Sequence, residues 1–395
     1  MKTPTNNILT LNGGSSSIKF SFYEMEGSLQ QLFYGEMENI GLDNSRISCV
    51  NRVTGEKYAA GVKAVDHAAA ATVIIGWLER QDGFGAVKAI GHRIVQGMTH
   101  TYPELITDGL LEALKKISAW DPEHMPRELQ LIAAFRARYP AAVQIACFDT
   151  FFHAAMPLVA KWVTIPRRYF AKGIQRYGFH GLSYAYLLEE LERVSGSETA
   201  KGKIILAHLG SGASLAAVKE GKSMDTSMGF TPASGLLMST RTGDLDPGVA
   251  WYLMEAEKLN PAEFGHLVNH ESGLLGISET SADMRELLKI KDADVRAEET
   301  IDLFCYQARK WIGSFAAVLG GLDTLVFSGG IGENSPEIRR RICESLGFLG
   351  VELDIGKNAT NEATISRRAA KVSVRVMKTN EEIMIAKLVC QVLNS

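Results

Sequence analysis

Three glycine clusters hold the residue types in this sequence most open to chemistry. The first runs Asn12-Gly13-Gly14-Ser15-Ser16-Ser17, with Lys19 just beyond it. Its glycines and serines offer backbone N–H groups and hydroxyls under little steric cover, which suits a polyphosphate. The same residues also fit an ordinary hairpin turn, because Asn and Gly tolerate positive φ. The second cluster, His208-Leu209-Gly210-Ser211-Gly212, has the same layout of apolar strand, glycine turn and small-residue strand. The third, Ser328-Gly329-Gly330-Ile331-Gly332-Glu333-Asn334, follows the apolar run Leu325-Val326-Phe327 and is expected to be a turn. Ser335 then reads as an N-cap, with Pro336 at the first helical position and Glu337 in the first turn. Strand, glycine turn and helix N-terminus together form an anion cradle. None of the three clusters spells GxxxxGK[ST] or GxGxxG, so the two large nucleotide-binding classes are disfavoured.

Several charged residues sit beside glycines and aromatics, where a solvated surface face is a poor explanation. Arg93 lies in GHRIVQG, Asp149 in FDTFFH, His180 in RYGFHGLS, Arg241 and Asp244 in STRTGDLDPG, and Glu381 in TNEE. Alone, each has a structural reading, since buried Arg–Asp pairs and core histidines are common. Together with phosphate-type loops they match what phosphoryl transfer asks for: positioning, and positive charge around the moving group. Arginine adds planar, bidentate recognition of carboxylate and phosphate oxygens.

The elements around these residues mix strands and helices, which implies an α/β protein. Ile8–Leu11 reads as a buried strand, and Ile18, Phe20 and Phe22 alternate with polar residues as a second. Apolar residues recur at helical spacing over 105–117, 126–137 and 298–320, the last long and apolar enough for a core or an interface. Residues 354–370 read as a surface loop. The first two glycine clusters lie about half the chain apart, which suggests two similar domains, each with a phosphate loop. The expected division is roughly 1–150, with a final helix of about 382–395 packing back on it, and roughly 151–381.

Composition narrows the function classes. The chain has 395 residues, with 42 Lys and Arg against 45 Asp and Glu. That balance excludes a bulk basic field for nucleic acid or a polybasic membrane anchor. No uncharged stretch reaches the roughly 18 residues of a membrane span, and MKTPTNNILTLN lacks the apolar core of a secretory signal. The five cysteines are scattered and form no CxxC pair, which argues against a disulfide framework or zinc site and favours a reducing, cytoplasmic compartment.

At the level of motifs the chain resembles acetate kinases, the acetokinase family of the actin, sugar kinase and Hsp70 fold group. The resemblance rests on NGGSSSIKF (12–20), GHRIVQG (91–97), FDTFFH (148–153), RYGFHGLS (176–183), HLGSGAS (208–214), DTSMGFTPASGLLMSTRTGDLDPG (225–248), GLLGISETSADMRE (273–286), SGGIGEN (328–334) and TNEE (379–382), in the family's order. It implies two duplicated ribonuclease-H-like domains with a cleft between them, and Mg2+-dependent phosphoryl transfer from ATP to acetate, with Mn2+ as a substitute metal. Asn12 and Glu381 are then the residues around the metal. Arg93 and Arg241 hold the carboxylate and the transferring phosphoryl, Asp149 organises metal and substrate, and His180 contacts the phosphoryl. Ser15, Ser17 and Lys19, then His208, Gly210, Ser211 and Gly212, belong to phosphate loops. Asp283, Met284, Arg285, Gly330, Ile331, Gly332 and Asn334 belong to the nucleotide pocket. Val95, Phe179 and Pro232 surround the acyl methyl group. A homodimer is implied as well.

The chain departs from the family pattern in places. Ser211 replaces an asparagine, Gln96-Gly97-Met98 replaces HGG, and Pro122-Glu123-His124-Met125-Pro126 replaces PLHNP. Glu123 is expected near the acyl pocket, where a carboxylate beside a methyl group is unfavourable. This favours either a displaced loop or a different short acyl acid, such as propionate or butyrate. A sugar kinase of the same fold and a non-catalytic relative are the competing readings.

Overall fold

The computed structural model describes residues 7–26, 28–81, 84–118, 121 and 123–394. Residues 1–6 and Pro122, which belong to segments read above, lie outside them. The chain divides into two compact units, Met1–Phe151 with Asn380–Ser395, and Phe152–Thr379.

The first unit is built on eight strands among the described residues: β1 (Asn7–Gly13), β2 (Ile18–Glu26), β3 (Ser28–Glu38), β4 (Arg46–Asn51), β5 (Lys57–Gly61), β6 (Val87–Ile94), β7 (Glu104–Leu105) and β8 (Val143–Phe148). Their order is β5-β4-β3-β2-β1-β6-β8-β7. β1 runs antiparallel to β2 and parallel to β6, and β6 runs parallel to β8. β1 is buried along its whole length, as a central strand covered on both faces must be. One face packs Leu9 and Leu11 with an aromatic group in which Phe22 stacks on Phe33 at 4.8 Å and Phe33 meets the edge of Trp77 at 5.4 Å. Burying each such ring contributes about 1.5–3 kcal/mol. The other face carries the C-terminal helix Glu381–Leu393, which packs on β1 and β6. Gly91 permits this, because a Cβ there would stand 2.5 Å from Ile385 Cγ2. The helix starts one residue earlier than expected, capped by the Asn380 side chain. Glu381 therefore groups with the first unit rather than ending the second.

The second unit holds β9 (Ile204–Leu209), β10 (Ala213–Lys219), β11 (Lys222–Thr226), β12 (Thr324–Ser328) and β13 (Ser373–Val376), in the order β11-β10-β9-β12-β13. Again the first three strands form an antiparallel meander, and the first, fourth and fifth are parallel. This is the topology of β1, β2, β3, β6 and β8 repeated, so the half-chain repeat is a duplicated ribonuclease-H-like sheet. The helix Val295–Leu319 packs against β10 through Ile301, Phe304, Ala308, Ile312 and Phe315, the helical spacing of its sequence. It starts three residues ahead of the expected position, capped by Asp294, and Gly320 ends it at φ +69°.

Three local expectations change. Residues 105–117 split into β7 and a helix Asp108–Ile117 capped by Thr107. The third glycine cluster is a one-and-a-half-turn helix, Gly329–Asn334, rather than a turn, and only Gly329 takes positive φ. The loop read at 354–370 contains a helix, Ile355–Ala359, and Thr364 and Ser366 make β-bridges to Arg375 and Leu353.

Candidate functional site

In the first unit, parallel strands deliver the predicted residues to one sheet end. Asn12 sits near the end of β1, Arg93 near the end of β6, and Asp149 one residue past β8. Arg93 Nη2 donates to Asp149 Oδ2 at 2.8 Å, and Nη1 donates to Asn12 Oδ1 at 3.2 Å. Asn12 Nδ2 in turn donates to Glu381 Oε2 at 2.8 Å and to Glu382 Oε1 at 3.2 Å. Burial opposes the charge on Arg93, but Asp149 and Glu381 more than offset it and hold the guanidinium above the ordinary arginine range. Burial, then the neighbouring Glu381, raises the Glu382 carboxyl. His92, beside Arg93, is buried and neutral: burial pulls it down to about 4, and its Nε2 meets Gln144 Oε1 at 2.8 Å.

The glycine-serine turn closes with Gly14 N donating to Ser17 O at 2.7 Å. Ser15 and Lys19 are exposed there, and Ser17 is partly so. His67 Nε2 lies 2.9 Å from Gly14 O and braces the turn.

Glu123, expected beside the acyl pocket, is half-buried in the turn that leads into the helix Met125–Arg138. The buried carboxyl near Val95 is instead Glu128, whose Oε1 accepts from Val95 N at 3.0 Å. Its position was legible, since it shares a helical stripe with Leu131, Ile132 and Phe135, but a charged residue on that stripe was not expected. Burial and then Asp121 push it up to about 8, with Asp149 adding to the rise, against the lowering pull of Arg93 and the Val95 amide. Between the ordinary 4.5 and about 8 the folded chain holds a proton that the unfolded chain has lost, so this group makes stability fall as pH rises. Glu128→Gln keeps the acceptor and removes the charge. The variant is expected to melt above the parent at pH 8, with the gap closing towards pH 5. Thermal melts at both values check this, and a gap independent of pH would remove the assignment.

In the second unit, His180 and Arg241 converge. A Cβ on Gly212 would lie 3.3 Å from His180 Nε2 and 4.0 Å from Arg241 Nη1. His180 occupies left-handed backbone at φ +57°, ahead of the helix Gly181–Ser195; such strain costs on the order of 1–3 kcal/mol. Ser214 and His208 hold it there. Its Nδ1 meets Ser214 Oγ at 2.8 Å, its ring stacks on His208 at 4.4 Å, and His208 Nδ1 is anchored on Ser183 Oγ at 2.8 Å. With Nδ1 engaged, Nε2 is left facing Gly212. His153, the last residue of FDTFFH, is buried between Ser223 Oγ and the Phe179 carbonyl and so props the segment from beneath. Arg176 ties the same segment to Asp225 at 2.8 Å and to the Thr226 carbonyl. Of these supports only His208 is singled out by the sequence, as part of the second glycine cluster.

Arg241 lies in a turn closed by Met238 N donating to Arg241 O at 3.0 Å, and its Nη1 donates to Pro232 O at 3.2 Å. Phe179 is wholly buried, while Pro232 is partly exposed.

The second and third glycine clusters touch, because a Cβ on Gly329 would stand 2.7 Å from Leu209 O. Gly330 has open space where its side chain would be, and Asn334 Nδ2 donates back to Gly330 O at 2.9 Å. Arg339, the first of the run Arg339-Arg340-Arg341, is completely buried. It donates to Gly332 O at 2.8 Å and Glu333 O at 3.0 Å, and also to Asn358 and Asn361, which fixes the glycine helix from its C-terminal end. Asp283 caps the helix Met284–Ile290, and Arg285 folds back on Asp283 at 2.6 Å with most of its side chain exposed. The Met284 side chain is buried in the core.

Among the described residues, no three or more His, Cys, Asp or Glu converge as an all-protein metal cage. The donor set at Asn12, Asp149 and Glu381 is all oxygen, as a hard cation requires, and a magnesium ion that keeps its waters and takes phosphate oxygens needs only one or two carboxylates. The residues therefore fit such an ion.

Duplicated ribonuclease-H-like sheets with glycine turns, arginines and a histidine at their strand ends define a phosphotransferase of the actin-type class. Comparison narrows the class. The model of the acetokinase family matches residues 7–387. The acetate kinase of Rhodopseudomonas palustris strain TIE-1 is 42% identical over 387 residues, covering 96% of each chain. That of Thermoanaerobacterium thermosaccharolyticum is 42% identical, covering 96% of this chain and 97% of the relative. Among solved structures, the Porphyromonas gingivalis acetate kinase matches with a TM-score of 0.86 at 36% identity, over 98% of this chain and 100% of the other. A propionate kinase from Francisella tularensis matches with a TM-score of 0.90 at 35% identity, over 97% and 98%. The chain belongs to the acetokinase family and is an ATP-dependent carboxylate kinase.

Proposed function

We propose that the chain catalyses reversible transfer of the γ-phosphoryl group of ATP to acetate, giving acetyl phosphate and ADP. The observation that carries this reading is the convergence of His180 Nε2 and Arg241 Nη1 at the bare backbone of Gly212. A carboxylate substrate is ionised near neutrality, so it attacks phosphorus in line without a general base. The obstacle is repulsion between two anions. Arg93 and Arg241 supply fixed positive charge, and His180 donates to a phosphoryl oxygen as charge shifts during transfer. Asp149 keeps Arg93 in place. The turns at Ser15–Lys19 and Gly210–Gly212 and the helix Gly329–Asn334 receive the nucleotide phosphates, with Asp283 and Arg285 towards the nucleoside. A magnesium ion near Asn12, Asp149 and Glu381 would screen the phosphate charge when bound. Val95, Phe179 and Pro232 are assigned to the acyl group.

Acyl hydroxamate formation from ATP, Mg2+ and acetate tests this directly. Hydroxamate is expected with acetate and none with ATP omitted; phosphorylation of glucose without hydroxamate would overturn the reading. The propionate kinase among the similar structures favours a second reading, in which a longer acyl acid is preferred. kcat/KM compared across acetate, propionate and butyrate separates the two.

We also propose a homodimer. The helix Pro247–Ala256 buries none of its residues within the chain, and Trp251 and Tyr252 are 70% and 64% exposed. Apolar surface of this kind belongs against a partner. Trp251→Glu is expected to shift the protein from dimer to monomer by light scattering, and an unchanged mass would remove this surface. No helix among the described residues is long and apolar enough to cross a membrane. The five free cysteines, four of them buried, fit a reducing cytoplasmic setting.

A further inference from the structure

A groove of about 680 Å³ lies in the second unit at the opposite end of its sheet from the glycine clusters. It opens where β9, β12 and β13 begin, between Gly202, Thr324 and Ser373 and the segment 364–371. The parallel strands run from this groove to the glycine loops, so the two sites stand apart by the length of a five-residue strand, roughly 15 Å.

The lining is chemically lopsided. Lys357, Arg368 and Lys371 border the groove, and none of these side chains has an ion pair or hydrogen bond among the described residues. Arg367 is set apart from them by its loose pair with Glu352 at 3.7 Å. Two hydroxyl residues sit deeper. Thr324 and Ser366 line the groove as largely buried residues, 2% and 6% exposed, and present hydroxyls to it. Asp323 Oδ2 accepts from Lys203 N at 2.8 Å, which fixes the carboxylate and leaves its other oxygen for a donor in the groove. Glu198 lines the same rim.

Three uncommitted cations beside lining hydroxyls and two carboxylates suit a ligand with a concentrated negative charge at one end and hydroxyl groups at the other. The volume is within the range of small-molecule sites, roughly 300–1,000 Å³. We propose that this groove binds a phosphorylated, polyhydroxylated small molecule of pentose phosphate size, with its phosphate on Arg368, Lys371 and Lys357 and its hydroxyls on Thr324, Ser366 and Asp323. Arginine and lysine here play the parts of bidentate and point-charge phosphate partners.

Isothermal titration of the full chain with ribose 5-phosphate, ribose and inorganic phosphate tests the assignment. Ribose 5-phosphate is expected to bind tightest. Arg368→Glu with Lys371→Glu should weaken it at least tenfold, and Thr324→Val, which removes one lining hydroxyl without changing charge, should weaken it several-fold. Both variants should retain the parent's rate of ATP-dependent hydroxamate formation, which shows that they are folded. The absence of ribose 5-phosphate binding, or equal binding by the variants, would overturn the proposal. Inorganic phosphate binding as tightly as the sugar phosphate would overturn it as well, since the hydroxyl half would then contribute nothing.

Discussion

Arg93→Ala is expected to lower kcat by roughly 100-fold or more, and to lower the melting temperature at the same time. The two effects have separate causes. For catalysis, the guanidinium is held by Asp149 at 2.8 Å and by Asn12 at 3.2 Å, and its Nε meets no protein partner among the described residues. A charge that is already positioned stabilises the anionic transition state without reorganising, and alanine removes that charge. For stability, the Asp149 side chain is 1% exposed and that of Arg93 is 14% exposed. Removing one partner of a buried ion pair typically costs about 3–5 kcal/mol, because the other charge is left uncompensated. Losing Arg93 also raises Glu128 further, because Arg93 is one of the groups now holding it down. Arg93→Lys separates the causes. It keeps a positive charge beside Asp149 and should recover much of the melting temperature, but it lacks the fork that spans Asp149 and Asn12, so kcat should stay well below the parent value. Thermal melts and initial rates on both variants check this. Parent-like kcat in Arg93→Ala would remove Arg93 from the reaction.

The parts of the fold and site that the sequence exposes share a physical cause. The candidate side chains here abut glycines, since backbone must come close to a ligand, and glycine clusters are visible without any three-dimensional information. Asn12, Arg93, His180 and Arg241 are singled out as candidates this way. Caps are equally local, and Ser335 with Pro336 opens the helix Pro336–Cys343 as its residue types require. The strand repeat is legible for the same reason, because each copy places a glycine turn after a buried first strand. What stayed hidden depends on contacts between distant segments. Arg339 stands in a run of three arginines that reads as a solvated helix face, yet it is wholly buried and bonded to residues 19 and 22 positions away. Glu128 looks like a surface charge until the helix is docked on β6, when it becomes the acceptor for the Val95 amide. The run Gly329–Asn334 was misread as a turn because glycine lowers helix propensity. There the fold overrides propensity, with Glu333 Oε1 accepting from Gly329 N at 3.0 Å and Arg339 holding the far end.

Gly273→Ala is expected to reduce kcat by roughly 100-fold, the scale set by an ångström of misplacement at a reacting group, although residue 273 is assigned no contact with substrate. Gly273 takes φ +64°, where a side chain is strained, and its Cβ would stand 2.1 Å from Met238 O and 2.7 Å from Arg241 O. Both neighbours are backbone atoms, so neither can swing aside as a flexible side chain would. The turn they belong to is the one that aims Arg241: Met238 N donates to Arg241 O, Leu274 N donates to Met238 O at 2.8 Å, and Ser272 N donates to Thr240 O at 3.0 Å. An added methyl group must therefore push residues 238–241 away from the helix Gly273–Ser278, and the guanidinium at Gly212 moves with them. His180, held by Ser214 and His208 on other elements, stays where it is. The pair that converges at Gly212 is thereby separated without either member being changed. The defect should appear in kcat more than in the KM for nucleotide, because the contact between Leu209 and Gly329 is untouched. Gly276→Ala, in the same helix but with its clash against Glu271 O at 2.6 Å rather than against the arginine turn, serves as the control for local damage. Equal losses of kcat in the two variants would mean that the helix as a whole, rather than the aim of Arg241, sets the rate.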